Sequence, residues 1–279
     1  MKQIKFTKYD AAGNTFLVVE PNSTRIDRRL FWNISQRLCD ASAGVGADGL
    51  LTIRPSRRAD FALDVFNADG SWAERSGNGL RAAVAHVSRT RPRKTDWTIA
   101  CGQERVEAKI ISRSAKGIVV RTQVGIPEFS NLTYTGVALK LSQLPKLKGA
   151  GKSYRYLRIL IGNPHVVIIV RRIPQNWVEI GRVISRMDRF RIGANIEFAC
   201  SKGPAKIEVR SYERGVGPTA SSGTGAAAAL VALRVLGRVN KRVVVDFGMQ
   251  KLSAAWIGPG QMVTVTGPVQ LRFSGVAPL

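Results

Sequence analysis

Short apolar runs with β-branched or alternating residues dominate the start of the chain. Residues 2–9, 15–21, 48–54 and 61–66 have this pattern between turn residues and predict strands. Residues 27–39 carry Leu30, Ile34 and Leu38 at helical spacing, which predicts a surface helix. An Ala-rich stretch from Gly79 to Arg89 predicts a second helix, followed by strands at 95–101, 105–112 and 117–123. Residues 127–155 are rich in Pro, Gly, Ser and Lys and read as a boundary crossed by one or two strands. Residues 157–171 then split at Gly162-Asn163-Pro164 into two apolar strands. Helices are expected at 176–187 and 225–236, the latter stopped by Gly237. Strands are expected at 195–201, 206–211, 242–247, 251–257, 262–265 and 269–273.

An internal similarity organises these elements. Ser76-Gly77-Asn78-Gly79 and Ser222-Gly223-Thr224-Gly225 both read S-G-x-G before an Ala-rich helix. They are half a chain apart, which points to duplicated halves. A single S-G-x-G is a common helix start, with Ser as N-cap. Two copies at this spacing favour a shared role. A glycine-rich turn opening a helix offers backbone N–H groups and the positive end of the helix dipole, so it suits a carboxylate or phosphate. If both turns hold the carboxylate of one amino acid, the residue before each flanks its Cα. That arrangement is what proton exchange on opposite faces of a carbon requires.

Several further motifs occur in order. Lys8-Tyr9-Asp10-Ala11-Ala12-Gly13-Asn14-Thr15-Phe16 is similar to K-M-x-G-x-G-N-D-F. Gly46-Ala47-Asp48-Gly49-Leu50 fits G-A-D-G-L, Phe66-Asn67-Ala68-Asp69-Gly70-Ser71 fits F-N-A-D-G-S, and Gly77-Asn78-Gly79-Leu80-Arg81 fits G-N-G-x-R. Gly162-Asn163-Pro164-His165 fits G-N-P-H, and Asn195-Ile196-Glu197-Phe198 is similar to N-V-N-F. Glu213-Arg214-Gly215-Val216-Gly217 fits E-R-G-x-G and is followed by Gly223-Thr224-Gly225. Together they resemble the diaminopimelate epimerase family from end to end.

The resemblance implies an α/β (α+β) fold of two pseudo-symmetric halves, each a curved, mostly antiparallel sheet around a central helix, with the active site in the cleft between them. The halves are expected at residues 1–126, joined by 267–279, and at 127–266. Substrate contacts carried over from the family are Asn14, Asn67, Asn163, Asn195, Glu213 and Arg214, with Gly77, Asn78, Gly223 and Thr224 holding the α-carboxylate. The residue chemistry agrees: asparagines offer donors and acceptors to a zwitterion, and Arg214 suits a carboxylate. The resemblance further implies LL- to meso-diaminopimelate conversion in lysine and peptidoglycan synthesis, no cofactor and a homodimer.

The sequence departs from the family at the catalytic positions. The family's two bases are cysteines, nine residues after the asparagine of F-N and nine after the glutamate of E-R. Here they are Ser76 and Ser222, while Cys39, Cys101 and Cys200 lie elsewhere. A thiol ionises several units below an alcohol, and neither serine has a histidine beside it in sequence. Four readings stay open: an epimerase with activated serines, an epimerase in which serines were introduced to trap a complex, a paralogue that binds an amino acid or performs another Cα–H reaction, and a polyanion-binding protein on the same scaffold.

Composition narrows the alternatives. The chain of 279 residues has 43 Lys+Arg against 19 Asp+Glu, a net charge of +24. The bases form dispersed clusters (around Arg25, Arg57, Arg91, Lys148, Arg191 and Lys241) without interleaved aromatics, so nucleic-acid binding is expected to be weak and non-specific at most. Three scattered cysteines and two histidines argue against a disulfide framework, a zinc site and a multi-histidine metal centre. The longest run of apolar or small residues, 225–233, is too short to span a membrane, and the first residues lack the apolar core of a signal peptide. The chain is expected to be cytoplasmic.

Overall fold

A computed structural model of the chain describes residues 3–21, 27–130, 132–149, 151–190 and 193–278. Lys2, Arg25 and Arg191, which belong to an expected strand and two basic clusters, lie outside them. The fold is mixed α/β and divides into two units, Met1–Gln123 with Thr266–Leu279, and Val124–Val265.

In the first unit, strand Gln3–Ala11 pairs antiparallel with Asn14–Val19, which pairs parallel with Gly49–Arg54. Gly49–Arg54 is antiparallel to Phe61–Asn67, which runs parallel to Asp96–Cys101. Glu104–Ser114 and Gly117–Gly125 continue antiparallel. The last strand, Val263–Pro278, pairs with Gly117–Gly125 and with Gln3–Ala11, closing the ring. Each parallel pair needs a helical crossover. Helix α1 (Arg28–Cys39) supplies the first and α2 (Gly77–Val87) the second.

α2 is threaded through the ring and is buried from Gly77 to Ala85. Strand residues therefore point alternately to two cores, which is why these strands read as continuous apolar runs rather than as alternation. Phe16, Val18, Leu51 and Val65 pack on the α2 side. Leu17, Val19, Leu50 and Phe66 pack with Phe31, Ile34 and Leu38 of α1.

The second unit repeats this order. Lys152–Ile161 is antiparallel to Asn163–Ile169, which is parallel to Asn195–Ser201. Asn195–Ser201 is antiparallel to Lys206–Glu213, which is parallel to Arg242–Asp246, itself antiparallel to Lys251–Ala255. The crossovers are α3 (Trp177–Ser185) and α4 (Gly223–Val235). Every residue of α4 except Arg234 is buried, as expected of a helix apolar on all faces. The duplication read from S-G-x-G thus extends to the strand order.

The structure corrects several sequence expectations. α2 and α4 begin at Gly77 and Gly223, not at Gly79 and Gly225, so each glycine pair lies inside the first helical turn. Leu30 is 47% exposed, and Phe31 takes its place on the buried stripe of α1. Strands expected at 262–265 and 269–273 are one strand, Val263–Pro278. Gly267-Pro268 reads as a turn, but proline is tolerated in a strand wherever the ladder needs no N–H from it.

One backbone feature predicts a stability change. The hairpin between the first two strands turns at Ala12-Gly13 with φ of 56° and 87°, the type I′ pattern that favours Asn-Gly or Gly-Gly. Alanine is strained there by its Cβ. Ala12→Gly should stabilise the protein by ~1 kcal/mol net of the added chain entropy. Thermal unfolding should show a midpoint higher by about 2 °C; a lower one would mean that contacts of the buried Ala12 methyl outweigh the strain.

Candidate active site

The two S-G-x-G turns adopt the same local structure. Ser76 caps α2 with φ/ψ of −133°/118°, and its Oγ accepts the Gly79 N–H at 3.1 Å. Ser222 caps α4 with −132°/125°, and its Oγ accepts the Gly225 N–H at 3.1 Å. Each hydroxyl thus serves the third helical residue. The glycines allow close approach: a Cβ on Gly225 would lie 2.9 Å from Glu197 Oε1, and one on Gly79 would lie 3.1 Å from Leu51.

The candidate residues of the first unit gather at one end of the sheet. Asn14 starts its strand and Asn67 ends another, and both neighbour the strand that starts at Gly49. The Asn67 side-chain amide donates to Ser71 Oγ at 2.9 Å, and the Asn67 main-chain carbonyl accepts from Ser35 Oγ at 2.7 Å. Asn78 is buried in the first turn of α2, where its Oδ1 accepts from the Arg81 guanidinium.

In the second unit the equivalent ends carry Asn163, Asn195 and Glu213. Each takes part in local hydrogen bonding. Asn163 Oδ1 accepts from His165 Nε2 at 2.6 Å, and one proton lies between His165 Nδ1 and Glu197 Oε1 across 2.9 Å. Parallel register sets His165 beside Asn195, whose Oδ1 accepts the Arg214 N–H at 2.9 Å. The Arg214 side chain packs on Gly193 and is largely exposed. Glu213 accepts from Thr219 Oγ1 at 2.9 Å, and the Ser222 hydroxyl lies close to its carboxylate. Burial pushes its carboxyl above the usual carboxylate range, and the nearby Glu197 adds to the rise; hydrogen bonds from Thr219 and Ser222, with the field of His165, oppose it.

Ser222 therefore has a carboxylate neighbour nine residues away in sequence, which a search for an adjacent histidine does not find. Sequence reasoning also missed Glu197 and Arg81 as parts of the site. The signals for Arg81 are its place in the G-N-G-x-R motif and its i,i+3 spacing from Asn78; Glu197 lies 32 residues from His165 and needs the strand register.

No helix among the described residues is long and apolar enough to cross a membrane. No group of three or more His, Cys, Asp or Glu among them has the arrangement of a metal site.

Comparison with known proteins agrees with this architecture. The hydroxyproline epimerase of Agrobacterium vitis, solved with trans-4-hydroxy-L-proline, superposes with a TM-score of 0.74 at 14% identity, covering 99% of this chain and 93% of that one. A phenazine biosynthesis protein of the PhzF family from Bacillus anthracis gives 0.71 at 15% identity, with both chains covered in full. At such identities the likeness is one of fold. The sequence relationship is nearer. The diaminopimelate epimerase of Carboxydothermus hydrogenoformans is 31% identical and that of Caldanaerobacter subterraneus subsp. tengcongensis 32%, each over 98% of both chains. The diaminopimelate epimerase family profile matches residues 6–129 and 158–272. The chain belongs to the diaminopimelate epimerase family, a family of isomerases.

Proposed function

We propose that the protein is a cofactor-independent epimerase acting at Cα of diaminopimelate between the LL and meso forms, with Ser76 and Ser222 at the two acid/base positions. The observation that carries the reading is the pair of matched serine caps, each nine residues after the end of an equivalent strand. The reading requires both turns to serve one amino acid. The N–H groups of Gly77-Asn78 and Gly223-Thr224 are assigned to its α-carboxylate, as a helix N-terminus suits an anion. Asn14, Asn67, Asn163 and Asn195 are assigned to its polar groups, and Arg214 to the distal carboxylate.

The proton path differs between the serines. A Ser222 hydroxyl bonded to Glu213 passes its proton to that carboxylate as it takes the proton from Cα. The proton then rests on Glu213 and the hydroxyl is regenerated. Ser76 has no such carboxylate partner among its described hydrogen bonds. Exchange is therefore expected to be faster from the Ser222 face.

Two measurements test the reading. Incubation with diaminopimelate in D₂O should place deuterium at Cα. Calorimetry should detect diaminopimelate binding, and Arg214→Ala should weaken it at least about tenfold, since a charged hydrogen bond contributes roughly 1.5–3 kcal/mol. Failure to bind diaminopimelate or any dicarboxylic amino acid rejects the assignment. The homodimer implied by the family resemblance and the cytoplasmic location expected from the sequence belong to the same proposal; sedimentation of the purified protein tests the first.

A further inference from the structure

The equivalent turns of the two units are surrounded by opposite charge. Around Ser222 stand Glu197 and Glu213, and the fifth residue of α4 is Ala227. The matching positions around Ser76 are Leu51, Asn67 and Arg81. Leu51 faces Gly79 as Glu197 faces Gly225. The second turn is thus furnished with acids and the first with a cation.

Arg81 is fully buried, with no exposed surface. Burial lowers its pKa to about 10, so the guanidinium stays protonated at neutral pH. A buried charge normally has a counter-charge. Among the described residues no carboxylate pairs with Arg81. Its Nη2 donates to Asn78 Oδ1, while Nε and Nη1 have no partner. Because a guanidinium offers only donors, the Asn78 amide turns its oxygen to Arg81 and its donor nitrogen away. Both the orientation of Asn78 and an uncompensated positive charge are therefore set at the first turn of α2.

We propose that Arg81 is a positioning residue for a carboxylate bound at the N-terminus of α2: it holds Asn78 in its donor orientation and supplies the buried charge that the ligand neutralises. The inference rests on the epimerase reading for the identity of that ligand, the α-carboxylate of an amino acid. It separates two duties between two similar turns: carboxylate capture is centred on the turn with the cation, and proton acceptance on the turn with the acids.

The test uses the intact protein and two probes, diaminopimelate by calorimetry and sodium acetate, a bare carboxylate, by thermal shift. Arg81→Met should weaken diaminopimelate binding at least tenfold and abolish the acetate-induced rise in Tm. Its Tm without ligand should be equal to the wild type or higher, because an unpaired buried charge is removed; a merely structural arginine would lower it. Arg81→Lys should respond to acetate at pH 6 and lose the response by pH 8.5, where the wild type keeps it, since a buried ammonium gives up its proton readily. Asn78→Asp places a carboxylate beside Arg81 and should raise Tm while abolishing the acetate response; it decides the matter if Arg81→Met does not fold. Binding by Arg81→Met within threefold of the wild type, or a Tm for Asn78→Asp at or below the wild type, overturns the inference. So does a wild type insensitive to both probes. A wild type that ignores diaminopimelate but shows an Arg81-dependent acetate response upholds the role of Arg81 and rejects the epimerase ligand.

Discussion

Replacing both capping serines by cysteine, Ser76→Cys with Ser222→Cys, is expected to raise Cα–H exchange of diaminopimelate at neutral pH by ~100-fold or more. The cause is acidity. A thiol ionises near pH 8.5 and lower at a helix N-terminus, whereas an alcohol lies several units above, and each unit is a tenfold change in the base form. The cap geometry makes the exchange of atoms local, because Ser76 and Ser222 each hold a first-turn N–H at 3.1 Å and share the same backbone angles. Each single variant should favour removal from one face, so stereoinversion by the double variant should exceed the sum of the singles. Deuterium incorporation and chiral chromatography measure the two quantities. No gain with diaminopimelate still bound would mean a site reshaped for another reaction. High activity already present with both serines would mean that the Glu213 relay suffices.

The second large effect is expected from Glu213→Gln. Loss of the group that takes the Ser222 proton should lower exchange by about 10²–10⁴, the range typical of a general base. The pH dependence has a definite sign. Burial holds the Glu213 carboxyl above its ordinary range, so wild-type exchange should rise with pH through that elevated value and the variant should not follow it. Stability should move the other way. A raised carboxyl pKa means that the folded chain binds the proton more tightly than the unfolded chain. Its contribution is full below the unfolded pKa and is lost as pH rises through the folded one. Glu213→Gln should therefore have a higher Tm than the wild type at pH 7, with the difference closing towards pH 4. An unchanged rate and pH profile would remove Glu213 from the proton path.

The element types were legible in the sequence where local rules decide them. Asp27 before α1 accepts from Arg29 N and Leu30 N, as its position before the periodic stretch suggests. The Ala-rich segments after both S-G-x-G turns are helices because little else suits them. Gly162, with φ of 74°, splits two strands as expected. What depends on strand register was not legible. Nothing local sets His165 against Glu197 or Glu213 against Ser222, since pairs of strands must first align. Arg81 was hidden differently. An arginine on a helix ordinarily faces water, and only the strand ring around α2 encloses it. The single long final strand escaped because Gly267-Pro268 imitates a turn.

That final strand has a consequence for how the molecule is made. Gln3 pairs with Pro278, so the ring that encloses α2 joins residues from opposite ends of the chain. The second unit, Val124–Val265, is contiguous and has all its residues before this strand is complete. During synthesis the first unit waits with the edges of Gln3–Ala11 and Gly117–Gly125 unpaired, and such edges invite association with other chains. Contacts of this sequence separation also form slowly. The closing strand is thus made after every other strand of its ring, and a chain ended at Val269 would keep its second unit whole while leaving the first as an open, adhesive sheet.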